Sequence, residues 1–135
     1  MKPIANFSLE QHIGPYETWP LRTRLDYDGV STMTKIPGYQ LQHQFAVKQG
    51  YLLITDWDCP FEEATSFILL NHDFRILSWR RLSLPYASFL LDQITLIDDK
   101  QLQLTFFQDD HWLLTVRAWG LPFVYPRLKL QRLSA

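Results

Sequence analysis

Between Gln101 and Phe106 every second residue is apolar: Leu102, Leu104 and Phe106 alternate with Gln101, Gln103 and Thr105. That period of two belongs to a strand with one face on a core, because successive side chains in a strand point to opposite sides. The same alternation runs through 39–47, "YQLQHQFAV", where Tyr39, Leu41, Phe45 and Val47 oppose mostly glutamines and His43 shares the apolar parity. It returns in 111–119, where Trp112, Leu114 and Val116 form the inward set, and in 127–133, where Leu128 and Leu130 oppose Lys129 and Gln131. A chain with this pattern is bound to antiparallel sheet.

The turns agree. Lys48-Gln49-Gly50, His72-Asp73, Asp98-Asp99-Lys100 and Asp109-Asp110 separate the runs, and short polar turns join neighbouring antiparallel strands. The segment 51–57 ("YLLITDW") is apolar on both faces near its middle, and 65–71 ("TSFILLN") opens a second hairpin. With 74–82 and 88–97 this makes eight strands after residue 38, and 21–27 ("LRTRLDY") adds a ninth. The expected fold is mainly β, an antiparallel meander of about eight or nine strands forming a barrel or a two-layer sandwich. Short helical turns are expected at 8–13, where Ser8 and Gln11 have capping-box spacing, and after Pro85.

At 135 residues the chain reads as a single domain, 1–135, with an N-terminal arm at 1–37 and an antiparallel core at 38–135. The arm is expected to hold a short helix and one strand, with 28–38 as loop. Four prolines, Pro3, Pro15, Pro20 and Pro37, keep it from being one long element. A 15% aromatic content gives a small chain enough apolar surface for a core. Thirteen basic and fourteen acidic residues leave a net charge of −1, without the basic excess that nucleic-acid binding needs. The first twenty residues hold no signal-type apolar core, and no run approaches the roughly 18 residues that cross a bilayer. Cys59 has no second cysteine to pair with. These features lead to the expectation of a soluble cytoplasmic protein.

The densest chemistry is 55–67, "TDWDCPFEEATSF", with Asp56, Asp58, Glu62 and Glu63 around Cys59. Asp56 and Asp58 have D-x-D spacing, but a calcium loop would need glutamate twelfth where Phe67 stands. Cys59 as nucleophile would need a base among His12, His43, His72 and His111, and Pro60 removes an N–H that could stabilise an oxyanion. The structural reading is preferred. Asp58 caps about one helical turn begun by Pro60, Glu62 and Glu63 favour its positive end, and the carboxylates face water. No glycine loop for a nucleotide is present, so no cofactor and no metal are expected.

Aromatic residues and arginines near strand ends are the candidate binding set: Trp79, Arg80, Arg81, Arg117, Trp119, Phe123 and Tyr125. Arg75, Arg127 and Arg132 could join them in an anion site if their strands are neighbours. The meander resembles small bacterial β-domains in general, and no motif singles out a family. The favoured function is a non-enzymatic protein-interaction or regulatory module that meets a protein partner or a second copy of itself. A barrel carrier for a small apolar ligand and a hydrolase using residues 55–63 are the alternatives.

Overall fold

The computed structural model describes residues 1–59, 62–83, 91–106, 110–117, 119–120 and 126–134. Among them the chain is mainly β, with three antiparallel sheets and no closed barrel. The central sheet has five strands in the order β1-β5-β6-β7-β8: β1 (Lys2–Pro3), β5 (Gln40–Val47), β6 (Gly50–Cys59), β7 (Glu62–Asn71) and β8 (Ile76–Leu82). A C-terminal sheet runs β12-β11-β10-β9: β12 (Leu128–Ser134), β11 (Asp110–Val116), β10 (Gln101–Phe106) and β9 (Leu91–Asp98). An N-terminal sheet runs β2-β3-β4: β2 (Phe7–Leu9), β3 (Thr23–Tyr27) and β4 (Val30–Ile36).

The central sheet is buried on both faces. Along β6, Leu52 and Ile54 enter a core shared with the C-terminal sheet, through Leu102, Leu104, Phe106, Leu114, Val116 and Leu128. Leu53, between them, enters a second core shared with the N-terminal sheet, through Phe7, Leu25 and Ile36. In β7, Phe67 and Leu69 face the first core, and Ile68 and Leu70 the second. Two-sided burial is why these strands read as continuous apolar runs, whereas β10 shows clean alternation. Gln101, Gln103 and Thr105, expected in water, are partly covered. Gln101 Nε2 donates to Thr115 Oγ1 at 3.4 Å, and the Thr105 hydroxyl lies 3.0 Å from His111 Nδ1.

The arm departs most from expectation. It holds four strands rather than a helix and one strand, and its helical content is a 3₁₀ turn at Tyr16–Thr18. Ser8 and Leu9, expected at a helix start, are in β2. The Gln44 side chain takes the place of a neighbouring strand there. Its Oε1 accepts from Phe7 N at 2.8 Å, and its Nε2 donates to Phe7 O at 3.1 Å. A primary amide has the donor and acceptor of a peptide group, so it can hold a strand edge that local capping signals would not predict. The stretch 28–38, expected as loop, contains β4. Asp28 and Gly29 both have positive φ, 51° and 81°, the paired left-handed geometry of a tight hairpin turn.

In β5 the pairing shifts between Leu41 and His43. Leu41 therefore packs in the second core, while Phe45 packs in the first, although both have the same parity in sequence.

In the acidic segment 55–63 the described residues, 55–59 and 62–63, are strand, where a capped helical turn was expected. β6 and β7 pair without interruption from Gly50↔Asn71 to Cys59↔Glu62. Ten cross-strand pairs outweigh the local capping signals around Asp58. Asp58, Glu62 and Glu63 lie at the far end of this ladder, and Pro60 and Phe61 are outside the described residues. Asp56, expected to face water, is 8% exposed. The helical turn expected after Pro85 also lies outside the described residues.

Candidate functional site

A cleft of about 330 Å³ opens where the arm crosses the end of the central sheet, lined by Gln11, His12, Trp19, Tyr39, Gln40 and Asp56. Its foundation is a buried pair of threonines. Thr23 on β3 donates its hydroxyl to Gly38 O at 2.6 Å, and Thr55 on β6 donates to Pro37 O at 2.9 Å. Both threonines are fully buried. They clamp the 37–38 peptide between the N-terminal and central sheets. Gly38 has φ +107°, and a Cβ there would overlap Thr55 Oγ1, so the crossing requires glycine. Tyr39 follows, its N–H bonded to Asp56 O at 2.9 Å.

Three rings stand on this base. The centroids of His12 and Trp19 are 5.3 Å apart, those of His12 and Tyr39 5.4 Å, and those of Trp19 and Tyr39 5.0 Å. Tyr39 lies at 88° to Trp19 and 77° to His12, while His12 and Trp19 are within 33° of parallel. Each ring is fixed by its own polar atom. Trp19 Nε1 donates to Gly14 O at 3.2 Å, and Tyr39 Oη donates to Pro20 O at 3.1 Å. His12 Nε2 lies 3.0 Å from Thr23 Oγ1. The Thr23 proton is already committed to Gly38 O, so Nε2 carries a hydrogen and donates to the Thr23 hydroxyl oxygen. A buried carboxylate completes the lining, with Gln42 Nε2 donating to Asp56 Oδ2. Ile13 and Leu21, close in the chain to His12 and Trp19, are 89% and 75% exposed.

The residues singled out in the sequence are not gathered into one site. Trp79, Arg80 and Arg81 lie on β8, an edge of the central sheet. Trp79 is 39% exposed and has the Arg22 guanidinium 5.9 Å from its ring centroid. Arg80 reaches β12, where Nη1 donates to Leu128 O at 3.3 Å and ties the two sheet edges together. Arg81 pairs in register with Ser66. Arg117 donates from Nη1 to Pro126 O at 3.2 Å, and its backbone N–H bonds to Arg127 O at 2.7 Å. The expected closeness of these strands is therefore met by β8, β11 and β12, with Arg80 and Arg117 each donating to a main-chain carbonyl. Arg132 instead pairs with Asp110 and covers the Trp112 ring at 5.0 Å. Trp119 is 58% exposed, and Phe123 and Tyr125 lie outside the described residues.

The sequence offers His12 only as one of four possible bases for Cys59 and does not point to Trp19, because the arm lacks periodicity, and parity assigns Tyr39 to the core. The available signal was local: His12 and Trp19 are set among Gly14, Pro15 and Pro20, which break regular structure and leave rings on a loop. His43 shares a face with Phe45, their rings 6.4 Å apart, and partial burial lowers its pKa from the usual histidine value. Among the described residues no three His, Cys, Asp or Glu side chains converge as a metal site, and no helix is long and apolar enough to cross a membrane. No protein family, curated protein or solved structure matches this chain.

Proposed function

We propose that the protein is a non-enzymatic recognition module that docks on a protein partner, and that the His12–Trp19–Tyr39 cleft is the centre of its contact surface. The supporting observation is that all three rings are already locked by hydrogen bonds to their own chain. Ordering a side chain on binding costs roughly 0.5–1.5 kcal/mol, and a surface whose aromatic anchors are held in advance avoids much of that. Tryptophan and tyrosine are also the residues that dominate interface energy when they sit in partly buried pockets. Trp79 and Trp119 supply further exposed aromatic surface elsewhere on the molecule.

The carrier alternative needs a hollow between sheets, and the described cores are packed with leucine, isoleucine and phenylalanine. The hydrolase alternative needs 55–63 as an open acidic loop, and within it the described residues, 55–59 and 62–63, are paired strand. A lone thiol and a near-neutral surface suit work in the reducing cytoplasm.

Tagged protein and its Trp19→Ala and Trp79→Ala variants, returned to the native host, test the reading by quantitative affinity mass spectrometry. The expected result is one partner retained by the wild type and by Trp79→Ala, and lost with Trp19→Ala. Equal retention by all three would overturn the placement of the surface.

A further inference from the structure

We propose that the cleft receives a basic side chain of the partner, the guanidinium or ammonium group of an exposed arginine or lysine. This rests on the docking reading above and adds the chemistry of what enters.

Charge is the first argument. Asp56 is the one formally charged residue among the described lining, and none of that lining is lysine or arginine. Residues 3–21 contain Glu10 and Glu17 and no basic residue, and residues 36–47 contain no charged residue at all with histidine neutral. The nearest arginines in sequence are engaged elsewhere. Arg22 lies over Trp79, and the Arg24 guanidinium is bonded to Asp26 at 3.1 Å and faces Glu10 at 4.0 Å. Among the described lining no lysine or arginine stands to neutralise an anion.

Ring geometry is the second. A cation is attracted within about 6 Å of an aromatic centroid, most strongly to tryptophan. The three centroids lie within 5.4 Å of one another, so one cation seated above the corner can lie in range of all of them. Perpendicular planes also let a planar guanidinium stack on one ring while meeting the edge or face of another. Gln11 and Gln40, whose side-chain amides carry hydrogen-bond acceptors, are also among the lining residues.

Size and surroundings choose the source. About 330 Å³ suits the end of one side chain. Ile13, next to His12 in the chain, and Leu21, two residues after Trp19, are exposed apolar surface that a protein would cover and a free small cation would not.

The test is a titration followed by ¹H–¹⁵N NMR at the Trp19 indole and the Tyr39 amide. The probes are N-acetyl-arginine methylamide, N-acetyl-lysine methylamide, the uncharged N-acetyl-citrulline methylamide, and N-acetyl-norleucine methylamide. Saturable shifts with the arginine and lysine probes are expected, with citrulline weaker by about tenfold and norleucine weaker still. Trp19→Ala removes the response, and Asp56→Asn weakens it several-fold in protein whose remaining spectrum shows it folded. Citrulline or norleucine binding as well as arginine would overturn the proposal, and so would no response to any probe. Should the probes fail while partner capture still depends on Trp19, the cation is wrong and the docking surface stands. Should capture also be indifferent to Trp19, the docking reading falls with it.

Discussion

The β6–β7 hairpin and the arm at residues 10–22 carry opposite signals in sequence and structure. The hairpin concentrates carboxylates, a thiol and a tryptophan, and it is the most deeply buried pairing in the described chain, with Leu52–Thr55 and Ala64–Ser66 almost inaccessible. The arm has no periodicity and reads as connection, yet it brings His12 and Trp19 against Tyr39 and leaves them at the surface. Chemical density along the chain thus marks a place where strands meet, and a recognition surface is built where side chains from distant segments are fixed by main-chain carbonyls. The comparison turns on where the free energy goes. In the hairpin each apolar side chain stabilises the fold, and in the arm the rings are anchored without filling either core.

The sharpest way to break that contrast is to cut the hairpin. Phe67 is fully buried against the C-terminal sheet, so Phe67→Ala is expected to cost about 3–5 kcal/mol in urea denaturation. A cost below about 1 kcal/mol would mean that this face is not closely packed.

Gly38 tests the joint between the two regions. Gly38→Ala places a Cβ at φ +107° and against Thr55 Oγ1, and is expected to cost about 2–3 kcal/mol while disturbing the Trp19 and Tyr39 resonances together. Loss of stability with unchanged resonances would separate the clamp from the cleft.

Asp56 lies in both regions, on β6 and in the cleft. Asp56→Ala deletes the acceptor of the Gln42 amide and is expected to cost about 1–3 kcal/mol by thermal or chemical melting. Stability within about 0.5 kcal/mol of wild type would return Asp56 to the solvated role expected from sequence.

The smallest expected effect sharpens the central sheet's outer end. Burial lowers the His43 pKa below its ordinary value of 6.5. Between that value and the lower folded one the unfolded chain binds a proton that the folded chain does not, so stability falls as pH drops through this window. His43→Gln is therefore expected to lose less melting temperature than wild type between pH 7 and pH 5. An identical loss would place the acid sensitivity elsewhere.

How much of this was legible follows from where the strands sit. β10, with one face on a core, could be read residue by residue from its alternation, and Leu102, Leu104 and Phe106 are buried as that pattern requires. β6 and β7 could be read as strands, but a run apolar on both faces does not say which neighbour covers each side, so the third sheet was invisible. The parity of β5 failed at its register shift, because an extra residue moves Leu41 to the other core without any change in composition. β2 was hidden because its edge partner is a side-chain amide, which no local pattern announces. The cleft was illegible for the same reason. His12, Trp19 and Tyr39 meet through hydrogen bonds to Thr23, Gly14 and Pro20, contacts set by how the arm crosses the sheet rather than by spacing along it.

The most direct measurement is Trp19→Ala with two readouts on one preparation, unfolding free energy and retention of the partner. The account predicts a stability change below about 1 kcal/mol, because Trp19 belongs to neither core, together with loss of the partner. A destabilisation of about 3 kcal/mol or more with the partner still retained would contradict it, and would make the rings a third core rather than a surface.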